Sequence, residues 1–434
     1  MTAESMSVPH AASAAEDATY LKVTWRLIPL LLVCYIVAYL DRVNVGFAKL
    51  QMAGELGFSD AVYGLGAGMF FIGYFFFEVP SNIILHRVGA RSWIARIMVS
   101  WGLVSGGMMF IQTETQFYVM RFLLGLAEAG FFPGIILYLT YWYPASRRGR
   151  IISLFMTGIP LAGVIGGPLS GWIMKTWDQY LGLQGWQWMF LLEALPSVLI
   201  GAIVYFYLDD RIADAKWLTA DERELLSRRI AEEDEHKEHM PVLQVLKNKR
   251  VWVMSSIYFS MAMSLYAVSF WLPTLIKGMG VSDNFTIGML SAIPWLAGVF
   301  AMLYFGRSAD RHKERRWHVV IAMLLAAVGL VLSVLLASNP VYAFIALVLA
   351  CMGIVSGIPL FWSLPTAFLG GAAAAAGIAA INSIANLAGF LAPYLVGWLK
   401  QVTQSTDSGM YVLAIALLIG ASITLRIPAK LVNR

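Results

Sequence analysis

The chain reads as an all-α integral membrane protein, with twelve transmembrane helices in two pseudo-symmetric six-helix halves. Three observations predict this. First, its 434 residues are 59% hydrophobic and only 13% charged, with a mean hydropathy of +0.70, whereas soluble domains run near 25% charged. A soluble domain of this composition would have almost no surface to hydrate it. Second, apolar runs recur that are long enough to cross ~30 Å of hydrocarbon at about 1.5 Å per residue. Third, one charged stretch splits those runs into two sets of six.

Taken in order, residues 1–20 are rich in Ala and Ser with three acids and lack the basic start, short apolar stretch and cleavage site of a signal peptide. They are expected to be a disordered cytoplasmic tail, which makes the first run an uncleaved span. Apolar runs then fall at about 26–46, 61–83, 92–112, 116–139, 151–173 and 187–208. A second set falls at about 252–274, 287–307, 317–337, 341–362, 371–398 and 411–428. The N-terminal half is thus 21–208, and the C-terminal half 251–434. The segment 209–250 between them holds eleven of the 26 acids and nine of the 31 basic residues. Within it, "WLTADERELLSRRIAEEDEHKEH" offers Thr219 as an N-cap with Glu222 three residues later, which predicts one amphipathic surface helix in a cytoplasmic loop. Its charges read as a solvated face.

Basic residues set the orientation. With the N-terminus inside, 25 Lys and Arg lie in or beside cytoplasmic segments. Only Lys49, Lys175, Lys277 and Lys400 lie on the other side, leaving Arg42 and Arg121 within runs. Both termini are therefore expected in the cytoplasm, in a bacterial-type inner membrane. The halves also echo each other: "SNIILHRVGARSW" after the second run and "FGRSADRHKERRWH" after the eighth are both short basic turns. A duplicated six-helix unit places its substrate site between the halves near the midplane.

The net charge of +5 and pI near 9.1 do not indicate nucleic-acid binding, because the basic residues sit at the edges of apolar runs. Cys34 and Cys351 both fall inside runs and form neither a disulfide framework nor a metal site. The fifth run, "GIPLAGVIGGPLSGW", is rich in Gly and Pro, which permits close helix packing. It is no phosphate loop, since it lacks the Lys-Ser/Thr ending, and no such loop occurs elsewhere. No nucleotide, cofactor or metal is expected. With no metal-ligand cluster and no nucleophile–base motif, an enzyme is not expected either.

Six ionisable residues fall within the N-terminal runs: Asp41, Arg42, Glu78, Arg121, Glu128 and Glu193. A charge at the bilayer centre costs roughly 2.5–3.5 kcal/mol on insertion scales, so each is a functional candidate until a structural role explains it. Asp41 and Arg42 lie in "YLDRVNVGF", about 22 Å along the first helix. They either snorkel outward or work separately, because adjacent helical positions point about 100° apart. In "RFLLGLAEAGFFPG", Arg121, Gly125 and Glu128 share one face at i, i+4 and i+7. Gly125 admits another backbone. Arg121 is expected about one turn in, near the outer interface, where snorkelling competes with function. Glu128 is deeper. A buried carboxyl can be neutral in one state and ionised in another, and no histidine lies deep in any run. A carboxylate such as Glu128 can therefore carry a proton, and Asp41, Glu128 and Arg121 are the expected proton-coupling candidates. Glu78 before Pro80 and Glu193 in "WMFLLEALP" are open between structural pairing and function. The C-terminal half supplies neutral groups: Asn382 and Asn386 at i and i+4, with Trp362, Ser363 and Tyr266. Each could line a polar cavity or only pack and bond neighbouring helices. A charged half facing a neutral polar half suits a small anion held by Arg42.

The stretches "YLDRVNVGFA", "GYFFFEVPSN" with "RVGAR", "RFLLGLAEAGFFPG", "YWYPASRRGR" and "GWQWMFLLEALPS" together resemble the major facilitator superfamily over essentially the whole chain. Within it, the chain is similar to the anion:cation symporter family, with tartrate, phthalate and 4-hydroxyphenylacetate permeases nearest. The resemblance implies a proton-coupled importer of organic acids that rocks two six-helix halves. It implies that Arg42 contacts the substrate carboxylate and that Asp41 and Glu128 are protonation sites. It also implies that Tyr39, Tyr74 and Asn386 line the site. Two departures stand out. Ile159 replaces a glutamine that sugar-acid members can carry, which leans toward a smaller diacid or an aromatic acid. His86 stands where the loop after the second helix usually has an acid, while the second copy keeps Asp310. Arg87, Arg91, Asp310 and Arg311 are the expected gating residues, and the inner gate is expected to differ between halves.

The expected partners are thus a small organic anion, protons and the lipid bilayer, with the chain acting as a monomer. Substrate-binding candidates are Arg42, Tyr39, Tyr74, Asn382, Asn386, Trp362 and Ser363. A drug or cation exporter of the same superfamily is the competing reading, since the glycines and Pro168 of the fifth run partly resemble an antiporter motif. An arginine in the cavity opposes cationic cargo. A membrane sensor that binds an acid without moving it is a third reading, and the short central segment leaves little room for a signalling domain.

Overall fold

Every regular element in the computed structural model of the chain is a helix, among the residues it describes (8–234, 247–365 and 371–432). Twelve spans are long and apolar enough to cross a membrane. Spans 1 to 6 are Ala15–Leu56, Asp60–Val88, Ala90–Phe110, Glu114–Thr140, Ser146–Thr176 and Gly185–Tyr207. Spans 7 to 12 are Lys249–Gly278, Asn284–His312, Arg316–Leu335, Pro340–Trp362, Ala380–Thr403 and Asp407–Leu425. Twelve crossings bring both ends of the chain to one face, called proximal below; the opposite face is distal.

The tail expected to be disordered over 1–20 is helical from Val8, because the first helix runs unbroken over Val8–Val43. An Ala-rich stretch is a good helix former, and its acids find partners. Asp17 lies 2.5 Å from Arg147, and Glu16 lies 2.7 Å from Arg229. Thr19 and Tyr20 are buried. Residues 1–7 lie outside the described residues. The central helix covers Ala220–Asp234. Its cap is reciprocal: Glu222 N–H donates to Thr219 Oγ1 at 3.2 Å, and Thr219 N–H donates to Glu222 Oε2 at 2.8 Å. The "EHKEH" end of the predicted helix lies outside the described residues.

The halves meet along two seams, span 2 against span 11 and span 5 against span 8. A six-helix repeat relates 2 to 8 and 5 to 11, so these are the same contact made twice about a pseudo-two-fold axis. Glycine sets the approach at the second seam. A Cβ on Gly167 would lie 2.5 Å from Gly288 O, and one on Gly288 would lie 2.2 Å from Gly167 O. The Gly-rich fifth run thus serves backbone-to-backbone packing.

Polar contacts gather at the distal ends of the seams. Asp60 accepts from Lys49 at 2.6 Å and from Lys400 of the other half at 3.2 Å. The Lys49 ammonium also sits 3.6 Å from the Trp271 ring centroid. Lys175 pairs with Asp283 at 2.9 Å, and Lys277 donates to Leu50 O at 3.0 Å. The four lysines that the charge count isolated are therefore all spent on joining the two halves.

Candidate binding cavity between the halves

Beneath that distal closure lies a cavity between the halves. Span 1 contributes Tyr35, Tyr39 and Arg42, which share one helix face at i, i+4 and i+7. Span 2 adds Phe70, Phe71 and Tyr74, and span 5 adds Ile159. From the other half come Tyr258 and Tyr266 of span 7, Trp362 of span 10, and Asn382 and Asn386 of span 11. Six of the seven expected substrate contacts therefore line one cavity. Ser363 does not. It caps the end of span 10, where its hydroxyl donates to Leu360 O at 2.6 Å and its carbonyl accepts from Arg315 at 3.4 Å. Its hydroxyl is turned back onto its own helix and not into the cavity.

Arg42 is the cation of this cavity and is 7% exposed. Its Nη2 donates to Glu128 Oε1 of span 4 in a tight buried ion pair. The aromatic rings of Phe70, Tyr74 and Tyr39 surround the guanidinium at 5.0, 5.6 and 5.7 Å. Arg42 Nε and Glu128 Oε2 are buried without a hydrogen-bond partner. A guanidinium binds a carboxylate best through two parallel N–H groups. Here one edge is half taken by Glu128 and half unused. Glu128 is also the last residue of its helix, before a break at Gly130 with φ +84°. The carbonyl end of a helix is unfavourable for an anion, so Arg42 is what steadies this carboxylate when it is ionised.

A sequence profile described as the Major Facilitator Superfamily matches residues 31–393. The chain belongs to this superfamily. A candidate metabolite transport protein of Pseudomonas putida, NicT, is 51% identical over 96% of both chains. A candidate tartrate transporter of Agrobacterium vitis is 50% identical over 93% of both chains. A quinolone resistance transporter of Acinetobacter baumannii is 43% identical over 94% of both. Among solved structures, the Escherichia coli xylose transporter XylE, in a partially occluded inward-open conformation, superposes with a TM-score of 0.72. That match has 14% identity and covers 93% of this chain and 98% of the other, so it supports the fold alone. This facilitator is a secondary transporter with twelve spans.

The remaining expected site residues of this facilitator fall into separate places. Asp41 turns away from Arg42 and from the cavity. It is fully buried, with its carboxylate held by Trp101 Nε1 and Ser105 Oγ, each at 3.0 Å, and by a short bond from Ser197 Oγ. The adjacent Asp41 and Arg42 thus serve different neighbours. Arg121 is also fully buried, which decides against the snorkelling alternative. It donates to Arg42 O at 3.2 Å and Ala67 O at 3.4 Å, and lies 5.7 Å from the Phe270 ring of the other half. The closed distal ends of the spans bury it, so snorkelling is excluded in this conformation.

Glu78, open in the sequence, reaches across the seam to Asn386 Nδ2 at 3.5 Å. Glu193 accepts from Ser170 Oγ at 2.6 Å and Asn44 Nδ2 at 3.1 Å. The four expected gating residues are not brought together. Arg87, Asp310 and Arg311 are exposed at proximal ends of spans 2 and 8. Arg91 N–H instead donates to Asp210 Oδ1 at 2.8 Å within its own half. Among the cavity residues, sequence reasoning missed Tyr35 and Tyr258. Tyr35 was findable from its spacing with Tyr39 and Arg42, and Tyr258 from sharing a helix face with Tyr266 eight residues on.

Proposed function

We propose that the protein is a proton-coupled symporter that takes up a small organic carboxylate through a bacterial inner membrane, with both termini in the cytoplasm and the distal face outside. It works as a monomer by alternating access. The observation that carries this reading is the half-occupied guanidinium of Arg42 in the wall of the central cavity.

The cycle follows from that geometry. While Glu128 is ionised it holds Arg42 Nη2, and on that edge Nε alone is open. A proton on Glu128 removes its charge and releases Nη2. The Nε and Nη2 edge can then take a substrate carboxylate through two N–H bonds. Proton and anion thus enter together because one arginine cannot serve both carboxylates on the same edge. Asp41, caged by Trp101, Ser105 and Ser197, is a second protonation site. Asn382 and Asn386 of the other half close on the far end of the substrate, and Tyr39 and Tyr74 on its flanks. Arg121 braces the backbone that carries Arg42. Arg87 and Arg91, with Asp310 and Arg311, sit where a proximal gate would close.

The substrate is tartrate or another small dicarboxylate, or an aromatic acid. The tartrate relative at 50% identity supports the first class. The aromatic wall and Ile159 support the second. Uptake of radiolabelled acids into proteoliposomes with an imposed pH gradient tests the reading. Accumulation that a protonophore abolishes is expected. Uptake insensitive to the gradient for every acid in the panel would reject it.

An exporter is the second reading, and the quinolone resistance relative at 43% identity favours it. The buried Arg42 in the cavity disfavours cationic cargo. Resistance to quinolones on overexpression would favour export, whereas acid-dependent growth without resistance favours uptake.

A further inference from the structure

Glu193 has no place in the cycle above, yet it is a fully buried carboxyl group in a helix that spans the bilayer. No cation contacts it among the described residues. Ser170 and Asn44 alone bond it, and the neighbouring titratable group is another acid, Asp41. An ionised carboxylate so placed is held only by dipoles, which offset a buried charge poorly.

Its two partners open onto a second space. A small distal cavity lies between spans 1, 5, 7 and 8, and Asn44, Ser170, Ser269 and Ser291 line it. Tyr39 lines the central cavity, and its hydroxyl meets Ser269 of the distal one at 3.0 Å, so this contact partitions the two. Asn44 is 1% exposed, and its Oδ1 has no hydrogen-bond partner. That orphaned acceptor beside a carboxylate has a use. An ionised Glu193 accepts from Asn44 Nδ2, as observed. A protonated Glu193 can donate to Asn44 Oδ1 once the amide turns over. Asn44 can therefore satisfy both charge states of one acid.

Span 6 presents Glu193 and Ser197 one turn apart, and span 1 presents Asn44 and Asp41 about one turn apart. The rungs are Glu193–Asn44 and Ser197–Asp41. From span 3, Trp101 and Ser105 face Asp41, and from span 5 the neutral Ser170 alone bonds Glu193 among the described residues. The other charged groups nearby are committed elsewhere: Arg42 to Glu128, Lys49 to Asp60, and Glu55 to Trp186.

We infer that Glu193 is a further proton-binding residue of the transport cycle, loaded from the distal cavity through Asn44 and Ser170. It forms a two-carboxyl unit with Asp41 between spans 1 and 6. A hydronium ion in the distal cavity gives its proton to the Glu193 carboxylate and leaves as water, and the Glu193 O–H later gives that proton to water reaching it from the proximal side. The inference rests on the proton-coupled reading, but its spectroscopic test does not need the substrate.

Infrared difference spectroscopy of the purified full chain, stepped between alkaline and acid pH, detects protonated carboxyl groups directly. Glu193→Gln should delete one titrating carboxyl component. Asn44→Ala and Ser170→Ala should shift the midpoint of that component, and they serve if Glu193→Gln does not assemble. In proteoliposomes, Glu193→Gln should slow gradient-driven tartrate uptake by about tenfold while leaving tartrate exchange at equal pH within about twofold. A Glu193→Gln spectrum that superposes on the wild type, or midpoints unmoved in both wall variants, overturns the inference. Gradient-driven uptake in the wild type with an unchanged spectrum defeats the inference alone. Loss of the component with no gradient-driven uptake of any acid defeats the transport reading and leaves the proton site standing.

Discussion

At the scale of single residues, two neighbours in the sequence do unlike work. Arg42 faces the central cavity and Glu128, whereas Asp41 faces away into Trp101, Ser105 and Ser197. A lysine at 42 would keep the charge but present no planar pair of N–H groups. Arg42→Lys should therefore weaken substrate binding by about 3 kcal/mol, roughly 100-fold, measurable by calorimetry on purified protein. Much of this was readable from sequence. A charge deep in an apolar run is costly, so Asp41, Arg42 and Glu128 announced themselves. What could not be read was pairing. Nothing in "YLDRV" says that its arginine meets a glutamate 86 residues on, or that its aspartate meets two serines and a tryptophan from spans 3 and 6. Those partners are ordinary polar residues with no energetic signature in a linear chain. The burial of Arg121 was hidden for a related reason. Its depth along the helix was read, but the cover supplied by another half of the molecule was not.

At the scale of elements, span 4 carries the clearest sequence logic. Gly125 lies between Arg121 and Glu128 on one face, and an added Cβ there would meet Phe70 O of span 2 at 1.8 Å. Backbone cannot yield as a flexible side chain would. Gly125→Ala should force spans 2 and 4 apart, at roughly 1–3 kcal/mol of overpacking strain. That predicts a lower thermal unfolding midpoint and weaker substrate binding, because a displaced span 4 carries Glu128 out of register with Arg42 of span 1. An unchanged midpoint would show that the contact is not needed. Span 1 marks the limit of run-based reading. Its apolar run suggested 26–46, but the helix starts at Val8 and the span continues to Leu56. Hydropathy sees the part in lipid, not the helix that extends beyond it.

At the scale of the whole molecule, the structure is held shut at the distal face. Asp60 bridges Lys49 and Lys400 between a half and its repeat. Asp60→Asn should weaken that closure by about 1–2 kcal/mol, between the value of an exposed and a buried pair, and raise the distally open population roughly tenfold. Reaction of a Ser269→Cys variant with an impermeant thiol reagent from outside would measure it. No increase in labelling would contradict the role. The Lys175–Asp283 contact is different, since it lies in solvent. Its hydrogen bonds from Lys175 and Thr286 hold the Asp283 carboxyl at about 2, below its ordinary 3.8. A depressed carboxylate contributes above its ordinary range and loses that contribution only as pH falls through about 2. The Asp283 carboxyl therefore stays ionised from about pH 5 to 8, and Asp283→Asn should leave the pH profile of transport unshifted even if its rate changes. A displaced profile would place a proton sensor at the distal surface instead of in the interior.

The central claim is that one arginine serves a glutamate and a substrate in turn. The most direct test is tartrate uptake by Glu128→Gln in proteoliposomes, with and without an imposed pH gradient. A neutral, always "protonated" side chain at 128 should bind and exchange tartrate at least as well as the wild type, yet fail to accumulate it when only the pH gradient drives uptake. Accumulation by Glu128→Gln equal to the wild type would contradict the account.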